Sequence, residues 1–308
     1  MSPATESSSP GSFDWGGSEP FWSAGQPGFR FTEEPVGSPA FFAAVERHRY
    51  TLEPHIPEVV GFGDWAERDV LEVGCGIATD GLQFLRAGAR YTGFDQSPVA
   101  LSLAQRRFEL EGLEARDLVQ STAVELPFAD ESFDLVFSHG VIHHIADTEG
   151  VVAEFRRVLR PGGTALVMVY HRDSFNYYVS IMGLRRALAA LLLIPGAPRV
   201  IARATGESEE LLLDHRALLR THGLDYLRDR ELFLAHNTDG PGNPLSKVYS
   251  RTELRELLAD FGTVDLAVRH LNLRVLPGGG AMAEWAIADA LGRRAGWHLY
   301  ARALKPAR

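Results

Sequence analysis

One cysteine and two lysines stand among 308 residues. Cys75 alone supports neither a disulfide framework nor a thiolate zinc site. Lys247 and Lys305 are the whole lysine complement, and arginine carries the remaining basic charge, a bias of coding composition more than of function. Long hydrophobic runs are missing as well. The longest, Ala187 to Ile194, falls far short of the ~18 residues that a bilayer span requires. The first residues hold neither the basic n-region nor the apolar h-region of a secretory signal. Positive charge is in deficit: 31 Lys and Arg face 40 Asp and Glu, for a formal net charge of −9 and a pI near 5.7. Such a surface disfavours duplex nucleic acid or an anionic membrane as the main partner. These shortages lead to the expectation of a cytoplasmic protein with no nucleic-acid, membrane or metal partner.

With 45% hydrophobic residues, a sizeable core is available to one large domain or a domain with a cap. The chain is organised around Val70-Leu71-Glu72-Val73-Gly74-Cys75-Gly76, a buried strand running into a glycine turn. Glycines there allow a tight bend and close approach of a ligand to main chain. A helix from about Thr79 points its N-terminal N–H groups into the same crevice. Further strands follow at Arg90–Phe94, Leu118–Val119, Phe133–Phe137 and Thr164–Val169, with helices at Pro98–Glu111 and Val151–Leu159 and a turn at Arg160–Gly163. Closing strands are expected at Val264–Val268 and His298–Ala303. Strands alternating with helices predict an α/β fold, a doubly wound, mostly parallel seven-stranded sheet of Rossmann-like type.

Four segments are expected. Residues 1–38 form a leader rich in Ser, Gly and Pro but holding Trp15, Phe21, Trp22, Phe29 and Phe31, which reads either as a flexible tail or as an aromatic lid. Residues 39–170 form the core, opening on a helix at Ser38-Pro39, with a second short helix at Pro57–Phe62. Residues 171–245 are a helical cap insertion, too long for an ordinary connection, ending in a loop from His236 to Pro244. Its basic and apolar stretch Arg185–Arg203 is read as packing into the cap rather than lying on a membrane. Residues 246–308 complete the sheet, with a capping box at Ser250–Glu253 and a short helix through Trp285 after Gly278-Gly279-Gly280.

Asp95 ends the second strand nineteen residues after Gly76, where a carboxylate can accept both hydroxyls of a ribose. A nicotinamide-binding fold would share this logic, but its fingerprint wants a small residue where this chain has Thr79. The run of motifs is more specific: Leu71–Gly76, Gly93-Phe94-Asp95-Gln96-Ser97, Leu126-Pro127-Phe128 with Ser132-Phe133-Asp134, Gly140-Val141-Ile142-His143-His144, and Arg157–Gly163. Together they resemble the class I S-adenosylmethionine-dependent methyltransferases of the broad UbiE-like (methyltransferase type 11) group. The resemblance covers about a third of the chain and leaves the leader and cap outside it.

What the resemblance implies is S-adenosyl-L-methionine as cofactor, with these positions around it. Gly74, Cys75 and Gly76 would lie against its amino-acid part and Glu72 near its ammonium group. Asp95 would bind the ribose, Gln96, Thr122 and Ala123 would meet the adenine, and Ser138, His139 and Gly140 would line the methionine chain. Thr122 departs from the group's usual aspartate, and Ala78 from its third glycine. Methyl transfer from a sulfonium is an in-line displacement that needs a base only when the acceptor must lose a proton. His143 and His144 are the candidate bases, or else they pack and bond to backbone; Tyr170 and His171 come second. The expected acceptor is a small or medium organic molecule, then a peptide terminus, then RNA. A nicotinamide oxidoreductase and a non-catalytic cofactor-binding protein are the competing readings.

Overall fold

A computed structural model describes residues 21–22, 32–273 and 286–307. Trp15, Phe29, Phe31 and the expected short helix through Trp285 lie outside the described residues. The core opens on α1 (Pro39–Leu52), whose N-cap Ser38 accepts a hydrogen bond from Phe41 N, with proline in the first turn. Then come α2 (Ile56–Val60), β1 (Asp69–Val73), α3 (Thr79–Arg86), β2 (Arg90–Asp95), α4 (Pro98–Glu111) and β3 (Asp117–Gln120). β4 (Phe133–His139), α5 (Thr148–Val158) and β5 (Leu159–Tyr170) complete the first half.

A helical segment follows: a π-helical stretch Asn176–Arg185 running into α6 (Arg186–Leu191), then α7 (Ala197–Thr205), α8 (Glu209–His222), α9 (Asp225–Arg228) and α10 (Arg230–Thr238). α10 extends three residues, His236 to Thr238, into the loop expected from His236, and Asp229 caps its start by accepting from Glu231 N and Leu232 N. The chain leaves the sheet and returns to it side by side, with Tyr249 N donating to Tyr170 O and Arg172 N to Tyr249 O at 2.9 Å each. After α11 (Arg251–Leu257), which starts on the capping box of Ser250 and Glu253, come β6 (Thr263–Arg269), α12 (Ala286–Ala295) and β7 (His298–Leu304).

The sheet order is β3-β2-β1-β4-β5-β7-β6. β7 runs antiparallel to both its neighbours, and the other pairings are parallel. The order reverses between β1 and β4, so the crevice above their carboxyl ends is the site where such sheets hold ligands. One face carries a core of Leu71, Val136, Val167, Phe155 and Leu254; the other packs Val70, Phe84, Phe108 and Phe137. The inserted helices have a core of their own around Tyr177, Ile201, Tyr226 and Phe233, joined to the sheet through Trp297.

The expected turn at Arg160–Gly163 sits within β5 as an irregularity. Leu159 pairs with Phe133, and pairing resumes at Thr164 with Leu135. The chain beyond β7 takes up the displaced backbone: Gly162 N donates to Lys305 O at 3.0 Å and Lys305 N to Gly163 O at 2.9 Å. The excursion aims Arg160 at Asp69, the first residue of β1. Arg90 and Arg116 reach the same carboxylate at 2.8 Å each, and Arg160 at 2.9 Å, so one acid ties together four segments at the amino edge of the sheet. The hydrogen bonds from Arg90 lead, against the opposing effect of burial, in holding the Asp69 carboxyl down at about 2.

A depressed carboxyl contributes stability above its unfolded value that is lost as pH falls through the folded one. Asp69→Asn is therefore expected to lose ~2 kcal/mol of unfolding free energy at pH 7. In urea melts the gap from wild type should shrink as pH falls from about 4 towards 2, these being the unfolded and folded carboxyl values. A gap independent of pH would rule out this origin.

Candidate active site

Above the β1–β4 switch lies a cleft of about 590 Å³, within the ~300–1,000 Å³ range of small-molecule sites. Its floor begins at the glycine turn. Gly74 N and Cys75 N both donate to Phe94 O, at 2.7 and 3.0 Å, and Gly76 N donates to Asp95 Oδ2 at 2.8 Å. Gly74 has φ +77, and a Cβ there would stand 2.3 Å from Val141 Cγ2, so the close approach of the β4 loop requires glycine. Ala78 takes a left-handed φ of +52 just before α3, at the place of the group's third glycine.

Asp95 Oδ1 accepts from Ser97 N at 2.8 Å. One carboxylate oxygen thus spends a lone pair on its own loop and the other on the glycine turn, and both keep acceptor capacity toward the cleft that Asp95 lines. Burial raises this carboxyl, against the backbone donors of Ser97, Gly76 and Gln96. Gln96, Thr122, Ala123, His139 and Gly140 also line the cleft. Thr79, where a dinucleotide fingerprint wants a small residue, instead accepts a 2.7 Å hydrogen bond from the buried Arg107 guanidinium.

Three expected positions are set back from the wall. Glu72 is buried and accepts from Tyr91 OH at 2.6 Å. Burial first, then the Asp80 charge, push its carboxyl well up. Beside it, Arg49 overrides burial and holds the Asp80 carboxyl below its ordinary range. Ser138 is fully buried and donates to Val73 O at 3.1 Å, stapling β4 to β1. The Cys75 thiol is buried, and burial followed by the charges of Asp95 and Glu72 pushes it well up, which makes it a poor nucleophile.

The two candidate bases turn their nitrogens away from the cleft. His143 is fully buried, with neither ring nitrogen hydrogen-bonded, and burial followed by His144 pushes its imidazole well below the ordinary range. His144 lines the cleft with its ring, while Nδ1 donates to Leu245 O at 2.7 Å. Its Nε2 stands 3.2 Å from Asp239 Oδ2 without forming a hydrogen bond. Asp239 Oδ1 accepts from Tyr170 OH at 2.8 Å, and His171 Nδ1 faces Gly296 O, so the second pair of candidates lies behind the first. The rings form a ladder from cleft to cap: Trp22 to His144 at 5.0 Å, His144 to His143 at 4.2 Å, His143 to Tyr170 at 4.0 Å and Tyr170 to Trp297 at 4.4 Å.

Sequence reasoning offered an aromatic lid that included Trp22 but did not single out the loop residues beside it. Trp22, Ile145, Ala146, Asp147, Pro244 and Leu245 close the far side of the cleft. The Gly- and Pro-rich composition of 240–244 marks a loop, but nothing in it says that Asp239 anchors that loop or that Leu245 bonds to His144. Asp239→Ala should leave the Tyr170 hydroxyl without its acceptor and lower unfolding free energy by ~1–3 kcal/mol in denaturant melts. Asp239→Asn, which keeps an acceptor oxygen, should cost clearly less; equal losses would show that the carboxamide cannot replace the carboxylate.

A family model described as a methyltransferase domain matches residues 71–167. Among curated proteins, the phthiotriol/phenolphthiotriol dimycocerosates methyltransferase of Mycobacterium leprae is 42% identical over 96 residues, 30% of this chain and 34% of that one. The sterol 24-C-methyltransferase of Gibberella zeae is 34% identical over 137 residues, 44% of this chain and 34% of that one. The ajmaline N-methyltransferase of Rauvolfia serpentina is 31% identical over 148 residues, 44% and 50% respectively. The chain thus spans half or less of these relatives' own length. A solved SAM-dependent methyltransferase from Methanosarcina mazei shares the fold at a TM-score of 0.50 and 17% identity, covering 79% of this chain and 94% of that one. No described helix is long and apolar enough to cross a membrane. Matching motifs, strand order and cleft together establish that the chain carries a class I S-adenosylmethionine-dependent methyltransferase domain.

Proposed function

We propose that this chain moves a methyl group from S-adenosylmethionine to a small or medium-sized organic acceptor, with no nucleic acid or membrane as partner. The observation that carries the reading is Asp95, anchored through one oxygen by Ser97 N of its own loop and through the other by Gly76 N of the glycine turn, and facing a cleft whose opposite wall is a roof that includes leader and cap residues. In this reading Asp95 accepts the two ribose hydroxyls. Main chain at Gly74, Cys75 and Gly76 lies along the amino-acid part, and Gln96, Thr122 and Ala123 surround the adenine. His139 and Gly140 border the methionine chain. Glu72 and Ser138 act from behind, holding Tyr91 and the β1–β4 contact in place.

S-adenosylmethionine supplies an activated methyl group on a sulfonium. The protein's part is then to align the acceptor and exclude water, an effect worth roughly 7–11 kcal/mol in favourable systems. Trp22, Ile145, Pro244 and Leu245 give the acceptor an apolar chamber. We assign His143 and His144 to holding this roof rather than to proton abstraction, since their nitrogens are buried or bonded elsewhere. The relatives named for a sterol, for phthiotriol and for ajmaline support an organic acceptor of this size. The C- and N-methyltransferases among them differ in the atom that receives the methyl group.

The direct test offers pools of acceptors to the purified chain and measures S-adenosylhomocysteine release. Turnover with organic acceptors is expected, and none with any pool would sink the reading. In calorimetry, Asp95→Ala should weaken S-adenosylhomocysteine binding tenfold or more through lost charge-assisted bonds; unchanged affinity would remove Asp95 from the site. Trp22→Ala is expected to raise the acceptor KM several-fold with little change in cofactor affinity, and an unaltered KM would take Trp22 out of the chamber.

A further inference from the structure

Four histidines from four separate segments meet at the carboxyl edge of the sheet, beyond the cleft. His55 precedes α2, His139 ends β4, His270 follows β6 and His298 opens β7. Their rings lie 4.6 Å apart for His270 and His298, 5.3 Å for His55 and His298, and 5.5 Å for His139 and His298. Glu53, at the end of α1, brings Oε1 to 3.8 Å from His298 Nε2. One donor atom each from Glu53, His270 and His298 lies within 4.8 Å of the other two.

The chemistry of this group favours a cation. A neutral imidazole offers one nitrogen lone pair to a cation, and His270 and His298 each bring a ring nitrogen into the cluster. Glu53 Oε2 is buried without a hydrogen bond, and Arg49, 3.5 Å from it, is committed to Asp80 through two hydrogen bonds. His270 holds a left-handed φ of +66, a conformation that persists in non-glycine residues only where the surroundings impose it.

We propose that Glu53, His270 and His298 form a binding site for one divalent transition-metal ion of the zinc class. Two imidazoles and a carboxylate are a borderline-soft donor set that suits such an ion. Metal–ligand bonds of ~2.0–2.1 Å place neighbouring donors about 3.4 Å apart, so the 3.8 Å between His298 and Glu53 needs little adjustment. His270 completes the set with a donor atom within 4.8 Å of the other two. His55 Nε2 lies 3.2 Å from His298 Nδ1 and accepts the proton there, which leaves Nε2 of His298 for the metal, the outer partner that ligating histidines commonly have. Three protein ligands leave one position for water. His139, which lines the cleft, stands beside His298, between the proposed ion and the cleft. The site is independent of the methyl-transfer reading.

The test uses the untagged full chain, stripped with a chelator and dialysed. Zinc is titrated against a chromophoric competitor, and cobalt is followed by its visible absorption. One equivalent per chain at micromolar affinity or tighter, with the intense cobalt bands of a tetrahedral site, is the expected result. Glu53→Gln and His270→Ala should each weaken zinc binding at least tenfold while the chain keeps cooperative thermal unfolding. His222→Asn, at the exposed end of α8, should leave binding unchanged. Failure to bind one equivalent, or binding that survives both cluster substitutions, would overturn the proposal and leave the histidines as a hydrogen-bonded network.

Discussion

The carbonyl of Phe94 and the carboxylate of Asp95 clasp the end of β2 onto the glycine turn that follows β1. Three consecutive N–H groups, of Gly74, Cys75 and Gly76, are spent on that clasp. The turn has no other way to satisfy them, because it is too tight to form strand or helix hydrogen bonds and partly shut from water. The clasp therefore does two things at once. It sets the path of main chain along the cleft floor, and it presents the Asp95 carboxylate with its remaining lone pairs turned outward. The Asp95 loop, the Val141 approach to Gly74 and the start of α3 all follow from that one set of bonds.

Around this rigid floor the molecule builds a roof from distant parts of the chain. The inserted helices have their own hydrophobic core and meet the sheet through the ring ladder that ends at Trp297. Leu245 ties the roof to His144 and Asp239 ties it to Tyr170, and Trp22 of the leader packs on the His144 ring. Floor and roof thus have separate sources of stability: sheet hydrogen bonding below, a run of ring contacts and the Asp239 carboxylate above. Such a division lets the roof vary while the floor keeps its geometry.

A second polar layer lies behind the floor. Arg49 and Tyr50 of α1 converge on Asp80, and Tyr91 donates to Glu72, so the first helix is docked by charge as well as by Phe41 and Phe42. The same helix ends in Glu53, beside His298. The docking of α1 therefore links the back of the cofactor side to the histidine cluster at the sheet edge.

Much of this fold was legible in the residues. Strand and helix spacing, the glycine turn and the capping box at Ser250 mark most of the seven-stranded sheet, because hydrophobic periodicity and turn chemistry are local signals. Asp95 was legible for the same reason, since its distance from Gly76 follows from one strand–helix–strand unit. Arg160–Gly163 read as a plain turn because the pairing of Gly162 with Lys305 that keeps it in the sheet is a contact across 143 residues. Only the tertiary structure decided that His143 and His144 face inward, that Glu72 and Ser138 support the wall from behind, and that Trp22 and Leu245 roof the cleft. Where a side chain points depends on neighbours brought from far along the chain, and the meeting of Glu53, His270 and His298 is the plainest case. Local pattern determines which elements form; the closing of the sheet determines which of their side chains meet.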